Sequence, residues 1–359
     1  MARGPFLRRK LYTLDTLFIF VLCSPFVVTN AQERSVPPSP NKKPIGRIAY
    51  DRRLAANILS PHMPSFAEIF VIDADGRNAW QLTSGGLSFS PACSPDGRQI
   101  AFLFSRHQIR DNPLDPLASA NDDSWPALFV MDADGKNVRK IRSLHLPVLS
   151  IGWSPDGKTL AVSAKSAPIE RSSTAPAKEP GQSRGGIFLL PATGDGTFRL
   201  VIEGGSDLSW SPYGTNIAYS ANRGKDLGKS SIFIAKADGT GEIRLTEKKS
   251  IAQSPAWSPD GKTIAFVSNW KEMDQIFLMS MDGSGIRQLT RDKKMTCSHP
   301  SWSPDSEQIA AQCKPNRPVA GIPFSSNGYN VFLISVRDSK GEPAQLTMDR
   351  GSNPVFCPQ

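Results

Sequence analysis

The chain has 359 residues, of which 39% are hydrophobic and 21% are charged, and its formal net charge is +9. This hydrophobic content is enough for a core that is divided among several sheets. The basic residues form no clustered stripe with aromatic side chains, so the composition argues against nucleic-acid binding. Removal of residues 1–31 lowers the net charge to about +6, which is typical of a mildly basic, solvated surface.

Residues 1–31 have the features of a secretory signal peptide. Four basic residues precede an apolar run at positions 17–28, and a small residue, Ala31, ends the segment. A retained membrane anchor is the alternative, but it would need about 20 apolar residues, and Pro25 interrupts the shorter run. The sequence therefore predicts a periplasmic or secreted protein. Residues 32–45 are predicted to be a stiff, proline-rich linker in front of the domain at 46–359.

The segment from Trp257 to Thr290 shows the repeating unit most clearly. Ser258-Pro259-Asp260-Gly261 has the residue types of a type I turn. The runs 263–268 and 275–280 are rich in β-branched and aromatic residues, and an Asp-Gly pair precedes a last short run. We interpret this segment as three strands of a four-stranded sheet, with the end of a fourth at its start.

This unit recurs along the chain. An aromatic residue or cysteine stands before a Ser-Pro pair, with an aliphatic residue seven positions later, at Cys93, Trp153, Trp210, Trp257 and Trp302. Periods of about 45 to 60 residues indicate a β-propeller with insertions. Residues 46–50 match a second strand without a first one, and 353–358 match a first strand without a second. We therefore predict an all-β, six-bladed propeller of four-stranded blades, in which a C-terminal first strand joins the N-terminal blade.

These repeats resemble those of TolB-like propellers, which are similar to WD repeats. The resemblance covers residues 46–358 and implies an exported protein that binds a partner such as a peptidoglycan-associated lipoprotein. TolB carries an α/β domain before its propeller, and this sequence has no room for one. A propeller fold alone specifies no function.

The predicted topology puts the short Ser-Pro-Asp-Gly turns on one face of the propeller and nearly all the irregular loops on the other. Long loops on a rigid scaffold usually carry binding, so the loop-rich face is the expected binding surface. The candidate contacts there are His62, Arg106, His107, Trp125, Trp270, Lys271, His299 and Tyr329.

The histidines and cysteines suggest further chemistry. All four histidines are predicted to lie in loops of the loop-rich face, where they could bind a metal ion; they are His62, His107, His145 and His299. Cys297 and Cys313 flank one hairpin closely enough to form a disulfide, whereas Cys93 and Cys357 are expected to be separate, packed thiols.

The sequence thus predicts a monomeric, non-catalytic propeller that needs no cofactor. Its ligand would be an envelope protein or glycan, bound by the loop-rich face and the mouth of the central channel. The alternative is a metal-dependent polyuronate lyase or hydrolase with the loop histidines as ligands of a divalent metal. No Gly-x-Ser-x-Gly motif or phosphate-binding glycine loop supports another enzyme class.

Overall fold

The structure is a computed structural model. It describes residues 46–54, 66–84, 87–105, 126–165, 185–223, 229–247, 250–270, 273–316, 328–337, 343–348 and 350–358. The predicted signal peptide and linker lie outside these residues. Within the described ranges, no helix is long and apolar enough to cross a membrane.

The described residues form short antiparallel strands. In chain order, the first twelve are β1 (Arg47–Leu54), β2 (Phe66–Asp73), β3 (Trp80–Gln81), β4 (Leu87–Cys93), β5 (Gln99–Ser105), β6 (Ala127–Asp132), β7 (Arg139–Ser143), β8 (Val148–Trp153), β9 (Thr159–Ala164), β10 (Gly186–Pro191), β11 (Arg199–Glu203) and β12 (Gly205–Trp210). The others are β13 (Asn216–Ala221), β14 (Ser231–Lys236), β15 (Ile243–Arg244), β16 (Ala252–Trp257), β17 (Thr263–Ser268), β18 (Gln275–Ser280), β19 (Arg287–Gln288), β20 (Met295–Trp302), β21 (Gln308–Pro315), β22 (Asn330–Ser335), β23 (Ala344–Gln345) and β24 (Gly351–Cys357).

These strands group into four-stranded units like those of a propeller. Units 3 to 6 are separate sheets made of β8–β11, β12–β15, β16–β19 and β20–β23. Unit 2 contains β4–β7, and unit 1 contains β24 and β1–β3. A single parallel residue pair, Ala67 with Leu87, joins units 1 and 2 into one eight-stranded sheet. The fold is therefore all-β, as the repeats predict.

The turn after the first strand of a unit forms from the predicted residue types. In unit 5, the Ser258 hydroxyl donates to the Asp260 carboxylate at 2.6 Å, and that carboxylate accepts the Lys262 amide at 3.0 Å. Gly261 adopts a φ of 75°, which an L side chain rarely tolerates. These contacts reverse the chain between β16 and β17.

Hydrophobic side chains pack between units. The second strands are almost wholly buried, as in β17, because each sheet is covered on both faces by neighbouring sheets. Six buried clusters are each shared by two consecutive units, and one of them joins unit 6 to unit 1. In that cluster, Ala310 and Val331 pack with Ile48, Tyr50 and Phe356. The core is thus divided among the unit interfaces.

The C-terminal strand pairs with the N-terminal one. Residues of β24 and β1 are antiparallel partners, including Phe356 with Ile48 and Cys357 with Arg47. Phe356 occupies the position that tryptophan holds in units 3 to 6, since its amide donates to the Ser301 hydroxyl at 3.0 Å just as the Trp257 amide donates to Ser209 at 2.9 Å.

The described residues contain two disulfides. Cys297 and Cys313, the candidate pair, are opposite each other in unit 6 and are bonded. Cys93 and Cys357 are also bonded, with their Cα atoms 5.2 Å apart. The expectation of two separate packed thiols is therefore wrong. The repeats bring the first strands of units 1 and 2 side by side, although these cysteines are 264 residues apart in sequence.

Candidate functional site

A cavity of about 570 Å³ lies between the first strands of the units. These strands, β4, β8, β12, β16, β20 and β24, contact one another in that order, and β24 also contacts β4. Every described lining residue belongs to a first strand or is the proline just after it. We call this space the central cavity.

A backbone irregularity gives the central cavity its polar lining. The pairing of first and second strands shifts register in every unit, at a position close to the third residue before the aromatic one. Five residues there have left-handed backbone conformations with φ between 48° and 52°: Ser90, Asp207, Ser254, His299 and Asn353. Bulges of this kind re-aim side chains and are frequent next to functional sites.

These five residues and Ser150, the equivalent residue of unit 3, all line the central cavity, and we call them the polar ring. The rest of the lining is mostly apolar. It contains three indole rings, of Trp153, Trp210 and Trp302, and two levels of proline rings that we call the proline wall. The members of the proline wall are Pro91, Pro255, Pro300 and Pro354 within the strands, and Pro95, Pro155, Pro212, Pro259 and Pro358 after them.

The amide groups freed by the bulges bond to the preceding unit. The Asn353 amide donates to Gln312 Oε1 at 2.8 Å, and the Ser254 amide donates to the Ser220 hydroxyl at 3.1 Å. Polar side chains on the second strands therefore satisfy backbone donors that the bulges remove from the sheet ladders. This explains why Ser220 and Gln312 are buried in otherwise apolar strands.

Asp51 makes the corresponding contact in unit 1 and is buried directly behind the polar ring. Its carboxylate accepts hydrogen bonds from the Ser352 hydroxyl at 2.6 Å, the Asn353 side chain at 2.7 Å and the Ser90 amide at 3.3 Å. Burial raises the pKa of Asp51, and these hydrogen bonds partly oppose the shift. Asp51, on the second strand β1, thus connects the first strands β24 and β4 at the point where the N-terminal and C-terminal strands pair.

His299 faces the central cavity from β20, where its side chain is exposed. No hydrogen bond joins its imidazole to another described residue. Desolvation by the surrounding protein lowers the pKa of His299, while the carboxylates of Asp207 and Asp51 act in the opposite direction. A lowered pKa favours the neutral imidazole, which can accept or donate a hydrogen bond.

Of the predicted contact residues that the structure describes, only His299 lines the central cavity. His299 lies in a strand, so its prediction as a loop residue is wrong. Trp270 follows β17 and is 57% exposed, and Tyr329 precedes β22 with the Lys314 ammonium 4.7 Å from its ring centre. His145 is exposed between β7 and β8. The other predicted contacts lie outside the described residues: His62, Arg106, His107, Trp125 and Lys271.

The two described histidines belong to no metal-binding group. Among the described residues, no three His, Cys, Asp or Glu side chains are placed to hold a metal ion together. His62 and His107, the other two ligands of the predicted metal site, fall in ranges that the structure does not describe.

The central cavity lies toward the face with the short turns, which the sequence analysis did not select as the binding surface. First strands run from the loop-rich face to the Ser-Pro turns, and the described lining extends from the polar ring to the prolines of those turns. The cavity is thus on the short-turn side of the polar ring. Sequence reasoning gave most weight to the long loops and missed this position.

Comparison with known proteins agrees with the architecture. Residues 202–344 match the family of the TolB beta propeller domain. The predicted TolB-like resemblance is confirmed. Among the relatives of this chain, an uncharacterized protein of Agrobacterium fabrum strain C58 is 33% identical over 141 residues, which cover 39% of this chain and 42% of that protein.

A second relative is the Tol-Pal system protein TolB of Francisella tularensis subsp. mediasiatica, 34% identical over 85 residues, or 23% of this chain and 19% of the relative. This chain thus matches less than half the length of these two relatives. The crystal structure of TolB from Acinetobacter baumannii superposes with a TM-score of 0.62 and 20% identity, over 88% of this chain and 67% of that one. This likeness shows the fold alone.

The polar ring could have been found from the sequence by aligning the repeats. Its members stand at the third position before the aromatic residue, or before Cys93 in unit 2, where they are Ser, Ser, Asp, Ser, His and Asn. A polar residue therefore recurs at this position in all six units. That recurrence is the signal that an inspection of loops alone overlooks.

Proposed function

We propose that this chain is an exported, non-catalytic, six-bladed propeller that binds an extended segment of an envelope protein in its central cavity. The observation that carries the proposal is the cavity itself, which is built on rigid strands from every unit. Its volume of about 570 Å³ is that of a small-ligand or peptide site. An apolar lining with a few polar groups provides affinity and orientation, respectively.

The closed six-bladed ring is supported by three observations. The C-terminal strand β24 pairs with β1, one core cluster connects unit 6 to unit 1, and β24 contacts β4. Such a ring leaves no free edge between its first and last blades, which protects the protein against edge-to-edge association. This arrangement supports a monomer.

Export is supported by the signal-like sequence at 1–31 and by the two disulfides. Disulfides persist in the periplasm and outside the cell but are rare in the cytosol. The mass of the protein recovered from the native envelope tests this directly. A mature chain that begins near Gln32 and contains no free thiol is expected, whereas a full-length, reduced chain would contradict export.

The partner class rests on the relatives. One matched relative is named as a protein of the Tol-Pal system. A peptidoglycan-associated lipoprotein, or another envelope protein or glycan, is therefore the partner we propose. No cofactor is needed for this function.

Site-specific photo-crosslinking in the native host tests the binding site. A crosslinking amino acid replaces Leu149, which lines the central cavity, or Trp270, which is exposed on the loop-rich side. We expect the Leu149 position to capture one envelope protein, identified by mass spectrometry, and the Trp270 position to capture none. Capture from the Trp270 position alone would overturn the cavity proposal and favour the loop-rich face.

A further inference from the structure

The described lining of the central cavity contains an acidic side chain but no lysine or arginine. Among its described lining residues the only ionisable side chains are Asp207 and His299, and there is no lysine or arginine. The buried carboxyl group of Asp51 lies directly behind the ring. The protein as a whole carries a net charge of +9, so a wall that lacks basic groups is a local departure from its composition.

Asp207 has hydrogen-bonding capacity to spare. Its Oδ2 atom accepts one hydrogen bond, from the Ser220 hydroxyl at 3.3 Å, and its Oδ1 atom has no donor among the described residues. No described ion pair involves this carboxylate. A carboxylate with a free oxygen beside a cavity can accept a charge-assisted hydrogen bond from a cationic ligand.

His299 provides an imidazole that lines the cavity and has no hydrogen-bond partner among the described residues. Desolvation lowers the pKa of His299, which favours its neutral form, and a neutral imidazole can accept a hydrogen bond. Ser90, Ser150 and Ser254 supply further hydroxyl oxygens at the same level. The polar ring is therefore rich in hydrogen-bond acceptors.

The walls suit the rest of such a ligand. The pyrrolidine rings of the proline wall and the indole rings of Trp153, Trp210 and Trp302 are apolar surfaces. They can cover the methylene groups of a long side chain, and indole faces also attract cations. A cationic group on an apolar stem matches both parts of the central cavity.

We propose that the central cavity selects a cationic group, the side chain of lysine or arginine or a free amino terminus, carried by an apolar, extended peptide segment. This rests on the proposed function, because it names the ligand chemistry of the same cavity. Asp207 receives the cation, the polar ring completes its hydrogen bonds, and the proline wall and the tryptophans contact the neighbouring apolar atoms.

The test uses synthetic peptides as probes and the full mature protein. The four probes are acetyl-Pro-Leu-Lys-Pro-amide and its analogues with norleucine, Nε-acetyllysine or glutamate in place of lysine. Binding is measured by calorimetry at pH 7.5 and by the fluorescence of the tryptophans that line the cavity. We expect the lysine peptide to bind at least tenfold more tightly than each of the three others.

Matched protein variants locate the effect. Asp207→Asn keeps an oxygen for the Ser220 hydrogen bond but removes the charge, and it should abolish the preference for lysine. Asp195→Asn, in an exposed turn of unit 3, removes the same charge far from the first strands and should leave the preference intact. The acetyllysine probe removes the ligand charge without altering the protein, so the result does not depend on how Asp207→Asn folds.

The outcomes separate the two proposals. Equal binding of the lysine and norleucine peptides would overturn the inference about charge but leave the cavity as a binding site. A preference that persists in Asp207→Asn would equally reject the role of this carboxylate. If no probe binds and photo-crosslinks arise only from the loop-rich side, both the inference and the proposed binding site are wrong.

Discussion

The tryptophan of the repeat offers a direct test of how neighbouring units are held together. In unit 6 the Trp302 Nε1 atom donates to the Ala256 carbonyl oxygen of unit 5 at 2.9 Å, and the indole is buried. Trp210 holds the same position in unit 4, but its Nε1 atom is buried without a partner among the described residues. The two residues therefore differ in one inter-unit hydrogen bond.

Replacement of each tryptophan by phenylalanine isolates that bond. Both substitutions remove part of an aromatic ring, so the loss of packing, about 1 kcal/mol, is common to both. Trp302→Phe also breaks the bond to Ala256, at a net cost of about 1 to 2 kcal/mol, whereas Trp210→Phe removes an unsatisfied donor. We expect Trp302→Phe to lower the free energy of unfolding by about 1 to 3 kcal/mol more than Trp210→Phe.

The assay is urea unfolding of the oxidised protein, followed by far-UV circular dichroism at constant pH. Comparable slopes in both variants are required for the free energies to be compared. If Trp210→Phe proves as destabilising as Trp302→Phe, the indole hydrogen bond does not hold the units together and the reasoning is refuted.

Three further changes have defined outcomes. In the chain-entropy model a bond that spans 264 residues contributes about 5.5 kcal/mol and one that spans 16 about 3 kcal/mol, so Cys357→Ala should lower the urea midpoint more than Cys313→Ala. Burial raises the pKa of Asp51 above 3.8, so the contribution of Asp51 to stability is present below that pH and declines as the pH rises through the folded-state pKa. Asp51→Asn should remove this decline, which is measured as the urea midpoint from about pH 4 to 7. An unchanged dependence of the midpoint on pH would contradict the prediction. A Cβ atom on Gly239 would lie 1.9 Å from a backbone oxygen, whereas one on Gly241 would meet only a flexible side chain, so Gly239→Ala should reduce the melting temperature well beyond Gly241→Ala.

The repeat could be predicted from the sequence because local chemistry specifies each hairpin. The turn is formed by the Ser258 hydroxyl, the Asp260 carboxylate and the backbone of Gly261, which are within a few residues of one another. The pairing of β24 with β1 followed from the unpaired second strand at the N-terminus and the unpaired first strand at the C-terminus. Both inferences need only the order of residues within a repeat.

The bulges and the Cys93–Cys357 bond could not be predicted in the same way. The Ser90 amide bonds to Asp51, 39 residues earlier, and the Asn353 amide bonds to Gln312, 41 residues earlier. These contacts depend on how one sheet packs against the next, and no feature within a single repeat specifies it. The same packing brings the two cysteines together.

The polar ring has a backbone conformation that costs free energy and side chains that differ from unit to unit. A left-handed conformation costs an ordinary residue about 1 kcal/mol or more, and five residues without the freedom of glycine adopt it around the central cavity. Hydrogen bonds from the ring backbone to the preceding unit, such as that from Ser254 to Ser220, offset this cost. The bonds at Ser254 and Asn353 come from the backbone, so they do not depend on the ring side chain, whereas in unit 3 the Ser150 hydroxyl itself accepts the Leu208 amide of unit 4 at 3.3 Å. Asp207 and His299 thus give the cavity its chemical character while the strands that carry them stay fixed, which is the arrangement that a selective binding site requires.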